Sequence, residues 1–144
     1  MITSTYTIRS KGFGAAGWES TLPSRTFLFD NQEPNTAVNV PTTGTPHYRS
    51  LVTISGTAAD ANSLGVIGRV YFAVQRLADN YYYNPTTSTW ESGAGSPVDV
   101  NYATTTWNSG TGEWQVLISS NIWEDGKKYK LWSKATDYAD NPET

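Results

Sequence analysis

The chain has 144 residues, 38% hydrophobic, 13% aromatic and only 16% charged, with a formal net charge of −3. That length sets a prior of one domain, long enough to bury a core without disulfide or metal staples, and so many aromatics at so small a net charge exclude a disordered chain. A pI near 5.0 leaves no dense Lys/Arg surface to grip nucleic acid, and no apolar run reaches the length of a membrane span, so neither partner is expected.

In chain order, the opening Met1-Ile2-Thr3-Ser4-Thr5-Tyr6 lacks the basic-then-apolar run of a secretory signal. A first strand follows at Tyr6-Thr7-Ile8-Arg9-Ser10-Lys11, and a second at Ser24-Arg25-Thr26-Phe27-Leu28-Phe29-Asp30. The stretch 34–46, with Pro34, Pro41 and Pro46, cannot be the middle of a sheet, because Pro has no N–H for the ladder. It suits a linker carrying a short edge strand over 37–40. Residues 51–56 alternate with Val52 and Ile54 inward, and Gly56 closes the clean pattern. Residues 70–76 form the clearest strand, with Val70, Phe72 and Val74 on one face. Asn84-Pro85-Thr86-Thr87-Ser88 joins Tyr81-Tyr82-Tyr83 to Thr89-Trp90-Glu91 as an aromatic hairpin, and Asn108-Ser109-Gly110-Thr111-Gly112 joins Trp107 to the next strand in the same way. That strand, 113–118, turns Trp114, Val116 and Ile118 inward. Asp125-Gly126 precedes Tyr129 at a strand start, the placement of a tyrosine corner in which the phenol bonds back to upstream backbone. In 129–135 the inward set is Tyr129, Leu131, Ser133 and Ala135, the outward set Lys130, Trp132 and Lys134. No stretch holds a helical period.

Four runs of residues add up to a family pattern. They are Asp30-Asn31-Gln32-Glu33-Pro34, Ser55-Gly56-Thr57-Ala58-Ala59-Asp60, Leu64-Gly65-Val66-Ile67-Gly68-Arg69-Val70, and Ala135-Thr136-Asp137-Tyr138-Ala139-Asp140-Asn141-Pro142-Glu143. In that order the chain from Pro34 onward resembles the bacterial immunoglobulin-like repeats of large secreted and surface proteins; Asp140 stands where those repeats usually have Gly. The resemblance implies an all-β immunoglobulin-like sandwich of about seven to nine antiparallel strands. It further implies an extracellular or cell-surface location, a non-catalytic structural or spacer role, and neighbouring repeats or copies as partners.

Tyr6-Thr7-Ile8-Arg9-Ser10-Lys11 echoes Tyr129-Lys130-Leu131-Trp132-Ser133-Lys134, 123 residues later. Read as a repeat trace, residues 1–30 are the end of a preceding repeat plus a linker, and 31–144 are the sandwich. That sandwich then stops one strand short. The expectation is that residues 25–30 supply the strand, by folding back or by donation to a neighbour as in a filament subunit.

With no Cys and a single His47, Ser-His or Cys-His nucleophile pairs have nothing to draw on, and no carboxylate spacing suggests a glycosidase cleft, so no enzyme activity is expected. Calcium is the candidate cofactor: Asp137, Asp140, Asn141 and Glu143 offer hard oxygen donors in one short loop, similar to the acidic linkers of cadherin-like arrays. The alternative is turn capping by the same residues, since the first copy, Gly14-Ala15-Ala16-Gly17-Trp18-Glu19, lacks nearly all the acids. Surface aromatics offer a carbohydrate-binding or adhesive alternative through Tyr82, Trp90 and Trp132. Alternation sets Tyr82 opposite to Tyr81 and Tyr83, however, and Tyr129, Gly56 and Trp114 read as structural.

Overall fold

In the computed structural model, residues 4–44, 47–60, 67–92 and 103–144 are described. Pro46 and the Leu64-Gly65-Val66 passage lie outside them. The chain opens with β1 (Ser4–Arg9), passes through a small hairpin of β2 (Phe13–Gly14) and β3 (Gly17–Trp18), and returns as β4 (Ser24–Phe29). Gly17, at φ +102°, takes the left-handed backbone that this tight return requires. β1 and β4 pair antiparallel, Tyr6 opposite Phe27 and Ile8 opposite Arg25. The Tyr6 ring stacks on Phe27 at 5.5 Å and meets Phe29 edge-on at 6.4 Å. All six residues of β4 are nonetheless exposed. A two-stranded sheet of this kind has little stability of its own.

Among the described residues the rest of the chain gives β5 (Asn35–Val40), β6 (Thr53–Ala59), β7 (Ile67–Arg76), β8 (Tyr81–Asn84), β9 (Thr89–Ser92), β10 (Ala103–Thr104), β11 (Thr106–Asn108), β12 (Glu113–Leu117) and β13 (Tyr129–Asp137), with a short 3-10 turn at Ser120–Ile122. One sheet has the order β11-β12-β6-β5; the other is β10-β7-β8-β9 with β13 on the opposite side of β7. All pairings are antiparallel. Ile54, Ala58 and Trp114 from the first sheet and Val70, Phe72, Val74 and Ala135 from the second share one buried cluster. The fold is therefore all-β and sandwich-like, with β5, β6, β12 and β11 in one sheet and β7 and β13 in the other around the shared core.

Period-2 patterning explains most of the inward faces. Val70, Phe72 and Val74 are buried on β7, as are Trp114 and Ile118 at either end of the β12 stretch. Two expectations are corrected. Val52 is 49% exposed: it has the inward parity, but β6 begins one residue later, so only its carbonyl is used, accepting from Ile118 N at 2.9 Å. Gly56 does not close the pattern. β6 continues to Ala59, with Gly56 buried between Val38 and Trp114, where the indole lies against its bare Cα and donates from Nε1 to Thr57 O at 3.1 Å.

The turns follow their chemistry. Asn84 Oδ1 accepts from Thr86 N at 2.9 Å, and Asn108 Oδ1 accepts from Gly110 N at 2.9 Å, each closing a hairpin loop. The Tyr129 hydroxyl accepts from Glu124 N at 2.8 Å, five residues upstream. Its ring stands edge-on to Trp123 at 4.8 Å and stacks with Trp90 at 5.6 Å.

β13 pairs with β7 from Tyr129, opposite Arg76, to Asp137, opposite Ile67. On its outer side, among the described residues, its backbone is met by the start of a strand, where Thr136 bridges Pro142 and Glu143 N donates to Ala135 O at 2.9 Å, and Thr36 Oγ1 of β5 lies 2.8 Å from Ser133 Oγ. Over 129–133 no described strand lies outside β13. The expected fold-back of residues 25–30 does not occur, because β4 is paired with β1. Loop closure accounts for the choice. Pairing with β1 closes a loop of some fourteen residues and pairing with β13 of the same chain one of about a hundred, a difference of about 1–2 kcal/mol.

Candidate functional site

Three segments distant in sequence meet at one end of the sandwich: the linker from β4 to β5, the end of β6, and the end of β13 with the turn that follows it. Asp137 continues the inward parity of Leu131, Ser133 and Ala135, and is 2% exposed. Its carboxylate caps the turn, Oδ1 accepting from Asn141 N and Oδ2 from Asn141 Nδ2, both at 2.8 Å. Asp140 takes the left-handed backbone there, at φ 63°, which Asp tolerates better than most residues. Asn141 Nδ2 also reaches Asp30 O at 3.3 Å, and Asp30 Oδ1 accepts from Gln32 N at 3.0 Å. Asp30, Asp60 and Asp137 each present an oxygen within 4.8 Å of the others.

Oxygen donors of this kind suit a hard cation, but the Asp30 and Asp137 carboxylates accept hydrogen bonds from within the chain. The four residues expected as a ligand set are not brought together as one. Asp137 joins Asp30 and Asp60, Asn141 serves as its donor, and Asp140 is exposed. Glu143 turns its carboxylate to the sandwich: Oε1 accepts from Thr36 N at 2.8 Å, Oε2 from Thr36 Oγ1 at 2.8 Å and from Ala135 N at 3.0 Å. This clamp ties β5 of one sheet to β13 of the other. Glu143→Ala is expected to cost about 2–3 kcal/mol in urea unfolding, since it removes a charged acceptor from three donors, with Glu143→Gln intermediate. Beside the clamp, Glu33 Oε2 accepts from Thr144 N at 3.1 Å and from Thr144 Oγ1 at 2.7 Å, so linker and chain end run side by side.

Sequence reasoning missed Asp30 and Asp60 as companions of Asp137. The available signal was their place in two of the four family-like runs, before Pro34 and after Ala59.

The expected aromatic surface is divided between two faces. Tyr82 points to the outer face but is only 2% exposed, lying under Trp132 at 6.2 Å, and burial raises its phenol above the ordinary value. Trp132 is half-buried, with the Lys130 ammonium 4.6 Å from its ring centre. Trp90 points inward, 5.6 Å from Tyr83, with the Arg76 guanidinium 4.8 Å from its ring centre. Arg76 in turn pairs with Asp79 at 2.6 Å and with Glu124, and holds the Asp79 carboxyl below the usual range. Of the three aromatics, Trp132 alone joins an outward direction to partial exposure. His47 is exposed in its loop.

No protein-family model, curated protein or solved structure matches this chain.

Proposed function

We propose that this chain is a non-catalytic spacer module of a repetitive extracellular or cell-surface protein, with neighbouring repeats as its partners. The observation that carries the reading is the pairing of sequence echo with structural role. Tyr6 and Ile8 on β1 and Tyr129 and Leu131 on β13 occupy matching places, and both strands turn those residues to an apolar face. On β1 and β4 that face carries Tyr6, Ile8, Phe27 and Phe29, each 44–63% exposed, with Arg25 beside them opposite Ile8. It has the character of a sandwich sheet whose opposing sheet belongs to an adjacent module. Arrays of this kind share stability between neighbours and carry load between their ends.

Pulling on the chain ends tests the reading. A spacer is expected to unfold in one cooperative step that releases residues 31–144, lengthening by roughly 400 Å; stepwise loss of strands at low force contradicts it. The carbohydrate-binding alternative is separated by retention on a glycan panel. Retention equal to that of Trp132→Ala is expected, and retention that Trp132→Ala abolishes favours the alternative. An ion at this junction would use Asp30, Asp60 and Asp137, and it requires a thermal midpoint that rises in millimolar calcium over chelator and loses the rise in Asp60→Asn. Identical midpoints dispose of it.

A further inference from the structure

We infer that residues 30–36 and 141–144 form a clasp that bears the tension passing through the module, because the two segments lie side by side, run in the same direction and are loaded in shear when the chain is pulled at its ends. The inference deepens the spacer reading and rests on it, since a module held between neighbours is what such tension acts on.

The direction of the two segments follows from two sets of contacts. Asn141 Nδ2 donates to Asp30 O at 3.3 Å, and Thr144 N donates to Glu33 Oε2 at 3.1 Å, so each segment advances three residues from one contact to the next. Both also run against β13, starting from the same end of it. Pro142 stands beside Thr136 and Glu143 beside Ala135, while Thr36, further along from Asp30, has its hydroxyl 2.8 Å from that of Ser133. Two segments that both run against β13 are parallel to each other.

That geometry decides how force is met. Tension enters the first segment on the residue 29 side and leaves the second beyond Thr144, so one is drawn back and the other forward. The contacts across the pair are then stretched together. An antiparallel hairpin such as β8 and β9, pulled at its open end, gives up its contacts one at a time.

The groups at the contacts suit the task. Glu143 Oε1 accepts from Thr36 N at 2.8 Å, and its Oε2 accepts from Thr36 Oγ1 at 2.8 Å and from Ala135 N at 3.0 Å. Glu33 Oε2 accepts from Thr144 Oγ1 at 2.7 Å as well as from its N–H. Hydrogen bonds to an ionised acceptor are about twice as strong as neutral ones. Asn141 is fixed from its other side, both its N–H and its Nδ2 donating to the Asp137 carboxylate at 2.8 Å. Through Ala135 the Glu143 carboxylate also passes a pull on β5 into β13, which is paired with β7 from Tyr129 to Asp137.

Forced unfolding along two axes tests the clasp, since it reads an unfolding rate in a chosen direction. Handles fused to the two chain ends load it. Handles on Thr86→Cys and Ser109→Cys, exposed loop positions in a sequence with no Cys of its own, leave it outside the tensioned path. A contact contributes to the unfolding rate only where it is broken in the transition state. Pulled by its ends, Glu143→Ala is expected to unfold about tenfold faster than wild type or more at equal force, and Glu143→Gln and Glu33→Ala severalfold faster. Pulled between residues 86 and 109, all three are expected to stay within about twofold of wild type. If Glu143→Ala does not fold, the other two variants decide. Equal end-to-end rates for wild type and variants overturn the proposal, because the contacts then carry no load. The same acceleration along both axes also overturns it, because the contacts then only stabilise the fold. Either result can occur in a chain that still releases residues 31–144 in one step, so the clasp can fail while the spacer reading stands; stepwise loss of strands at low force overturns both.

Discussion

Gly56→Ala is expected to leave the chain without a cooperative unfolding transition. A Cβ at this position falls 1.8 Å from Ala37 O and 2.5 and 2.6 Å from two atoms of the Trp114 indole. The indole has little room to move, because it is 1% exposed and its Nε1 is held by Thr57 O. The carbonyl has less, since Ala37 sits opposite Thr57 within the β5–β6 ladder. Relief requires parting β5 from β6 or expelling the indole, and either exceeds the usual 1–3 kcal/mol of overpacking. Against a total stability of about 5–15 kcal/mol, a loss of about 4 kcal/mol or more removes most of the folded population. Circular dichroism on heating and amide chemical-shift dispersion measure it. Adding Trp114→Ala is not expected to rescue the variant, because the clash with Ala37 O remains. A double variant more stable than Gly56→Ala would show that the ring was the only obstacle.

Trp114→Ala alone ranks next. The indole is the largest fully buried side chain of the cluster shared by the two sheets. Its removal is expected to cost about 3–5 kcal/mol through lost apolar burial and the cavity left behind, with Thr57 O losing its donor as well. Trp114→Phe restores most of the apolar area and none of the hydrogen bond, so urea midpoints should fall in the order wild type, Phe, Ala. An Ala variant within 1 kcal/mol of wild type would place the core elsewhere.

Both positions illustrate what a linear reading reaches. Alternation alone put Val70, Phe72, Val74 and Trp114 inside, because a strand's side-chain period is a property of its own residues. Gly56 was misread as a terminator because its partner, the Trp114 ring, comes from a strand nearly sixty positions away. The same limit hid the acid cluster: Asp137 was visible in an acidic loop, but Asp30 and Asp60 join it only through the packing of β5, β6 and β13. Alternation also set Tyr82 opposite to Tyr83, and the structure has Tyr82 under Trp132 and Tyr83 against Trp90, so the grouping of Tyr82 with Trp90 as one surface does not hold. That Trp132 covers Tyr82 depends on β8 and β13 both flanking β7, which neither strand encodes by itself. The strand at 24–30 was legible as a strand. Its pairing with β1 was decided by loop length, which composition does not express.

Native-state hydrogen exchange resolved by residue tests most directly the claim that residues 31–144 are one cooperative sandwich and β1 with β4 a separate strand pair awaiting a neighbour. The account predicts that paired amides of β6, β7 and β12 exchange only through global unfolding, at one common free energy, while those of β1 and β4 exchange through local opening at a clearly lower one. Amides of β1 and β4 protected to the same level as those of β7 in the isolated monomer would contradict it.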